Sequence, residues 1–242
     1  MKKSKSFFTG LLCLCLGVFL ITSCNDEDPT PAPLNAVGDV IIQDHKTDAG
    51  IRYGLVIYAT SNYELKSVKV TGPGTTPQVY QLTATTDKHR YTFKMESGDY
   101  TAALPTKGDY TFEITSVNDQ KITIKDVVGD EKLTPIAIKT AAMASQKLKT
   151  TWDKITGCDG YVVNFYSVNK AEILFQSPIL ATDKAEYEFG ATTTGWATGK
   201  SPVANTNYVI ELLGVKYETG ATTNKENNLQ FITLDSKTVK WE

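Results

Sequence analysis

Apolar and polar residues alternate one by one over short stretches of this chain from Val37 onward. The stretches 91–95, 110–114 and 121–125 each place aromatic or aliphatic side chains at every second position. Side chains two residues apart on a strand point to the same face, so each stretch offers one buried face and one solvated face. Because turn residues separate the stretches and no helical periodicity appears, the sequence predicts an all-β chain of packed antiparallel sheets.

The number and spacing of these stretches indicate two tandem domains. Further apolar runs at 51–59 and 65–70 bring the first half to about seven strands in about 95 residues, the size of one immunoglobulin-like sandwich. The charged segment GDEKLTP at 129–135 then interrupts the pattern. We therefore predict an immunoglobulin-like β-sandwich at 37–130 and a second β-sandwich at 135–242. The linker between them is too short to leave their relative orientation free.

The second half contains LKTTWDKITGCDGYVVNFYS, TNYVIELLGVKYE and LQFITL, which together resemble a fibronectin type III domain. The resemblance places Trp152 at the end of the second strand, Tyr161 at the start of the third, and Tyr208 at the tyrosine-corner position. It implies a sandwich in which an indole fills the space between two sheets. The segment 190–207 is longer than the usual connection of that family. The inward-facing residues that the resemblance implies are Leu148, Thr150, Val163, Phe165, Ile210 and Leu212.

The N-terminus has the features of a secretory signal. Three lysines among the first five residues precede an apolar run at 11–21. As a helix this run would span only about 16 Å, half of a bilayer's hydrocarbon core. The run ends in LITSC, which resembles the lipobox of bacterial lipoproteins. The resemblance implies that residues 1–23 are a signal peptide and that Cys24 carries acyl chains, such as palmitate, that anchor the protein to a membrane. The alternative is an ordinary signal with a chance cysteine.

Residues 24–36 form a predicted tether. The sequence NDEDPTPAP directly after Cys24 carries three acidic residues and three prolines, which favour an extended, solvated chain. Acidic residues at this position also resemble the surface-export signal of some Gram-negative lipoproteins. That resemblance implies an outer-membrane protein that faces the cell exterior. The alternative is a polar tether with no role in sorting.

Charge and cysteine content exclude further classes. When the three lysines of the signal are removed from 25 basic residues, 22 remain against 27 acidic residues, a net charge of −5. The basic residues form no cluster that would attract nucleic acid, so no nucleic-acid partner is predicted. Cys158 is the only cysteine after Cys24, so the folded part has no internal disulfide. No histidine lies near Cys158 in the sequence, and we predict no nucleophilic role for it.

Motifs for catalysis and metal binding are missing from the sequence. The two histidines, His45 and His89, belong to neither HExxH nor an HxH pair. The chain after Cys24 has no CxxC, no EF-hand spacing of acidic residues, no GxSxG and no glycine-rich phosphate loop. We predict no metal, no cofactor and no enzyme activity. The paired carboxylates of a glycosidase have no characteristic spacing in sequence, so that one class is left open.

Trp196 is the predicted ligand-contact residue. It lies among the threonines and glycines of 190–207, where no strand periodicity turns it inward. Exposed aromatic rings stack on sugars or fill pockets of protein partners. The alternative is that the ring folds back onto its own domain. Trp241, near the C-terminus, is either a packing residue of the last strand or exposed.

The sequence as a whole predicts a non-catalytic, lipid-anchored protein of the cell envelope that acts as a binding or adhesion module. Its predicted contacts are the membrane, through the lipid on Cys24, and a glycan or an envelope protein. The alternative is a structural spacer or an assembly subunit of an outer-membrane complex.

Overall fold

The computed structural model describes residues 32–47, 50–221 and 228–242. The predicted signal peptide, the lipid-attachment residue Cys24 and the first part of the tether lie outside the described residues. Within the described residues the chain forms fifteen β-strands and one short 3-10 turn at Ser97–Asp99. No helix among these residues is long and apolar enough to cross a membrane. The prediction of an all-β chain built from sandwiches is confirmed.

The first half of the chain forms an immunoglobulin-like sandwich. Strands β1, β2, β6 and β5 are neighbours in one sheet, and β4, β3, β7 and β8 form the other. In immunoglobulin lettering this is the order A-B-E-D against C′-C-F-G. The strands are β1 (Ala36–Thr47), β2 (Gly50–Ser61), β3 (Leu65–Thr71), β4 (Val79–Gln81), β5 (Thr83–Ala84), β6 (Arg90–Lys94), β7 (Gly108–Ser116) and β8 (Lys121–Val128).

Strand β7 shows why the alternating pattern forms this sandwich. Tyr110, Phe112 and Ile114 are all buried, whereas the residues between them are exposed or half-buried. The Tyr110 hydroxyl donates a hydrogen bond of 3.0 Å to the carbonyl of Thr106, which fixes the loop that enters β7. The alternation therefore orients the strand, and the tyrosine ties the preceding loop to it.

The second half forms a fibronectin type III-like sandwich. One sheet has the order β13-β10-β9, and the strands β12-β11-β14-β15 are neighbours in the other. In that family's lettering this is E-B-A against C′-C-F-G. The strands are β9 (Ile138–Ala144), β10 (Lys147–Trp152), β11 (Gly160–Ser167), β12 (Ile173–Gln176), β13 (Glu186–Gly190), β14 (Thr206–Tyr217) and β15 (Leu229–Trp241).

The residues that carry the resemblance take the expected positions. Trp152 and Tyr161 are buried, and their ring centroids lie 5.4 Å apart. The Tyr208 hydroxyl accepts a hydrogen bond of 2.8 Å from the backbone N–H of Val203, which is the tie of a tyrosine corner. The predicted inward-facing residues are also buried, at 0% exposure each: Leu148, Thr150, Val163, Phe165, Ile210 and Leu212.

The two halves share a sheet. Strand β1 pairs in parallel with β15, with Ile42 opposite Phe231 and Gln43 opposite Ile232. This pairing joins the strands into one eight-stranded sheet of order β12-β11-β14-β15-β1-β2-β6-β5. This one pairing is parallel, because the first strand of one sandwich lies beside the last strand of the other. The division into two domains stays a prediction.

The segment that links the two halves is hydrogen-bonded to side chains of β15. The backbone N–H groups of Gly129, Ile136 and Ile138 donate to side-chain oxygens of Gln230, Thr233 and Asp235, over 3.2, 3.0 and 2.8 Å. Side chains of β15 therefore satisfy backbone donors that a free linker would leave to water. This arrangement restricts how the halves can move relative to one another.

Candidate binding site

The eight-stranded sheet has one face that points away from the other two sheets, here called the outer face. Strand alternation decides which residues occupy it. Asn164 and Tyr166 of β11 flank the core residue Phe165, and Glu211 of β14 lies between two core residues, so all three point to the outer face. Polar residues on an otherwise well-packed sheet are the natural place to look for a binding surface.

A continuous hydrogen-bond network links these side chains across three strands. Gln176 donates to Asn164 over 3.0 Å, Asn164 donates to Tyr166 over 3.4 Å, and Tyr166 donates to Glu211 over 3.1 Å. Lys170, in the turn between β11 and β12, donates to the second carboxylate oxygen of Glu211 over 2.9 Å. The network brings amide, hydroxyl, carboxylate and ammonium groups together on one surface.

The surroundings of Tyr166 keep its phenol protonated. Glu211 is 8% exposed, and its carboxylate is paired with Lys170. Burial, and then the charge of Glu211, raise the pKa of Tyr166 above its ordinary value. The phenol is therefore a stable donor at neutral pH. The arrangement suits hydrogen bonding to a neutral polar ligand.

A cleft of about 390 Å³ adjoins this network and extends it to the first half of the chain. Lys170 and Glu211 belong to both the network and the cleft, so the two surfaces are continuous. Residues from both halves of the chain line the cleft, and they include charged and aromatic side chains. Its lining includes Gln43, His45, Lys94, Glu96, Tyr100 and Ser236.

Trp196 lies elsewhere, against the core of the second sandwich. Its ring centroid is 5.2 Å from that of Phe175 and 6.1 Å from that of Trp241, and its indole N–H donates to the carbonyl of Gly190 over 3.1 Å. The ring is partly buried. This packing favours the alternative that Trp196 folds back onto its own domain, and its role as a ligand contact stays a prediction. Trp241 is 5% exposed and is a packing residue of β15.

The structure also places the cysteine and the two histidines that the sequence analysis considered. The Cys158 thiol is buried, with its Sγ 2.8 Å from the carbonyl of Gly160, and burial raises its pKa. A thiol with a raised pKa is a poor nucleophile. His45 lines the outer-face cleft, whereas His89 is exposed, with its Nδ1 3.3 Å from the carbonyl of Ser61.

Three acidic residues that the sequence analysis did not single out lie together at the junction of the halves. Asp39 of β1, Asp126 of β8 and Glu218 after β14 each place a carboxylate oxygen within 4.8 Å of the others. Burial, and then the charge of Asp126, raise the pKa of Asp39 to about 7. The one signal in the sequence is an aspartate inside the apolar run VGDVII of β1, since a charged residue within a buried strand needs a partner.

The strand orders and the tyrosine corner define a tandem β-sandwich protein. No protein-family model matches the sequence, and a comparison with curated proteins finds no match.

Solved structures that are similar to this chain include tandem domains and tandem repeats. The FN1–FN3 domains of chicken CNTN1 are 13% identical, over 86% of this chain and 68% of that one, with a TM-score of 0.29. A two-domain fibronectin type III segment of chicken tenascin is 12% identical, over 85% and 99%, with a TM-score of 0.29. A tetra-tandem repeat from the extending region of a large adhesion protein is 14% identical, over 86% of this chain and 50% of that one, with a TM-score of 0.24. The fold assignment rests on the strand orders described above.

Proposed function

We propose that this protein is a non-catalytic binding or adhesion module of the cell envelope, and that its ligand is a glycan bound on the outer face. The observation that carries the proposal is the network of Asn164, Tyr166, Gln176, Lys170 and Glu211 beside an open cleft. A sugar presents several hydroxyl groups, each of which donates and accepts hydrogen bonds. The network offers both donors and acceptors with fixed geometry, which is what such a ligand requires.

Replacing Lys170 by alanine should weaken glycan binding at least about tenfold, because a hydrogen bond to a charged group contributes about 1.5 to 3 kcal/mol. The probe is a glycan array, followed by titration of the glycans that bind, with soluble mucin glycans as a natural mixture. The matched control is Lys149→Ala, which removes a similarly exposed lysine from a similar 2.9 Å pair with Glu186. Equal binding by both variants, or no glycan bound by the native protein, would contradict the glycan proposal.

A structural spacer or assembly subunit of an outer-membrane complex is the second candidate. The observation in its favour is the linker held along β15 together with the shared sheet, which gives the two sandwiches a fixed geometry. Two results together would favour this candidate. The glycan array would be negative, and specific envelope proteins would co-purify with the lipidated protein from intact cells.

The second part of the proposal is that a lipid on Cys24 anchors the protein to the outer membrane, facing the exterior. Its support is the charged N-terminus, the short apolar run and the LITSC sequence. Cys24→Ala should abolish incorporation of labelled palmitate, whereas the control Cys158→Ala should incorporate it normally because that thiol is buried. Equal labelling of the Cys24→Ala variant and the native protein would contradict lipid anchoring.

Protease added to intact cells should degrade the native protein, and full protection would contradict surface exposure.

A further inference from the structure

The junction between the two halves contains a concentration of negative charge. Asp39 belongs to β1, Asp126 belongs to β8, and Glu218 directly follows β14, so both halves contribute. Oxygen atoms of all three carboxylates lie within 4.8 Å of one another. Like charges at this separation repel strongly unless a proton or a cation lies between them.

One oxygen of this group is buried and has no partner. Asp39 is 0% exposed, and its Oδ2 accepts hydrogen bonds from the Tyr58 hydroxyl over 2.9 Å and from the Leu229 N–H over 3.2 Å. Its Oδ1 is also buried and accepts no hydrogen bond. A buried carboxylate oxygen without a partner is unfavourable, because it has lost its hydration and accepts no hydrogen bond in exchange. Such an atom beside two further carboxylates indicates a missing positive ligand.

The basic side chains nearby are engaged elsewhere. Lys125 lines the same cleft, but its Nζ is 2.7 Å from Asp109. Lys216, two residues before Glu218, pairs with Asp159 over 3.6 Å. Among the described residues, no lysine or arginine forms an ion pair with any of the three carboxylates. No ion pair among the described residues therefore compensates the charge of the group.

The protonation behaviour of the group agrees with this geometry. Burial and then Asp126 raise the pKa of Asp39 to about 7. Burial, followed by hydrogen bonding and repulsion from Asp126, also raises the pKa of Glu218 well above its ordinary value. Because each raised pKa favours the protonated form in the folded state, the associated stability is present at acidic pH and is lost as the pH rises through about 7.

We propose that Asp39, Asp126 and Glu218 form a binding site for a divalent cation, with Ca²⁺ as the preferred ion. Ca²⁺ binds carboxylate oxygens at about 2.4 Å, so two oxygens on opposite sides of one ion are up to about 4.8 Å apart. Mg²⁺ requires about 2.1 Å and near-octahedral geometry, which fits three carboxylates from separate strands less well. The cleft of about 350 Å³ beside the group leaves room for water ligands.

The consequence is that a cation would join the two halves at their shared sheet. Asp126 is held in place by hydrogen bonds from the N–H groups of Val40 and Val127, over 2.7 and 2.8 Å. Asp39 is held by β15 through Leu229. An ion bound between them would therefore fix β1, β8 and the end of β14 together. This site shares no lining residue with the outer-face cleft, so it is independent of the proposed function.

The test uses the purified full-length chain after treatment with EDTA, at pH 8. Addition of CaCl₂ at about 100 times the dissociation constant should raise the Tm by about 5 °C or more, and MgCl₂ should raise it less. Tb³⁺, which replaces Ca²⁺, should show luminescence sensitised by tyrosine, because the Tyr58 hydroxyl is 2.9 Å from Asp39. At pH 5, where protons compete for the carboxylates, the apparent affinity for Ca²⁺ should fall at least about tenfold.

The variant Glu218→Gln should lose the Ca²⁺-dependent rise in Tm and most of the Tb³⁺ signal, while the control Asp130→Asn should keep both. Asp130 is an exposed carboxylate paired with Lys107. Without Ca²⁺ at pH 8, the Glu218→Gln variant should melt at or above the native Tm, because the substitution removes one repelling charge. That melting temperature is the control that the variant folds. The proposal is overturned if the native protein responds to neither Ca²⁺ nor Tb³⁺ at pH 8, or if the Glu218→Gln variant responds as fully as the native protein.

Discussion

Replacing Trp152 by alanine should lower the free energy of unfolding by about 3 to 5 kcal/mol. The indole is 2% exposed and packs against the ring of Tyr161 at 5.4 Å between the two sheets of the second sandwich. Its N–H has no hydrogen-bond partner, so the substitution removes packing and no hydrogen bond. The measurement is chemical unfolding monitored by circular dichroism, with the linear dependence on denaturant used to extrapolate to water.

The control for this variant is Trp152→Phe, which keeps an aromatic ring in the same space. We expect it to cost less than the alanine variant because a smaller cavity is left behind. A loss below about 1 kcal/mol for Trp152→Ala would mean that the indole does not hold the two sheets together, and the fibronectin type III-like assignment would lose its main packing residue.

The strands of both sandwiches could be predicted from sequence because their signal is local. Each of them needs only the alternation of a few neighbouring residues, as at Tyr110, Phe112 and Ile114 in β7. Trp152, Tyr161 and Tyr208 were also recognisable, because a buried indole and a tyrosine corner belong to fixed positions along a strand. These features do not depend on which distant strand lies alongside.

The pairing of β1 with β15 could not be predicted in the same way. The two strands are separated by nearly the whole chain, and the pairing depends on how the two sandwiches dock. One signal was present: residues 39–44 of β1 are buried without interruption, and the central run is apolar rather than alternating. A continuous apolar run of this kind predicts a buried strand, and β1 lies between β15 and β2 in the interior of the eight-stranded sheet.

The candidate site could not be predicted from sequence either, because it also depends on how distant strands pair. Asn164, Tyr166 and Glu211 occupy polar positions on strands in which apolar and polar residues alternate. From sequence alone, every such polar position is predicted to be solvated, so these three could not be distinguished from the others. Only the register of β11 against β14, which places Asn164 opposite Glu211, brings them into one network. The acidic group at the junction depends in the same way on contacts between strands that are far apart in sequence.

Phe231→Ala should destabilise both halves together, by about 3 to 5 kcal/mol. Phe231 is 0% exposed, lies opposite Ile42 in the parallel pairing, and makes an edge contact with Tyr53 of the first half at 6.2 Å. Because β15 is hydrogen-bonded to both β14 and β1, a cavity at this position weakens packing on both sides. Hydrogen exchange measured by mass spectrometry should show faster exchange in β2 and in β11 alike.

The control is Phe189→Ala, which removes a ring of the same size and burial from β13, within the second sandwich only. It should speed exchange in β11 more than in β2. If Phe231→Ala instead leaves exchange in β2 at the native rate, the two halves unfold separately, and the linker at 129–135 divides the chain into independent domains. If both halves respond, the shared sheet makes them one cooperative unit, because the strand that completes the second sandwich also supports the first strand of the other.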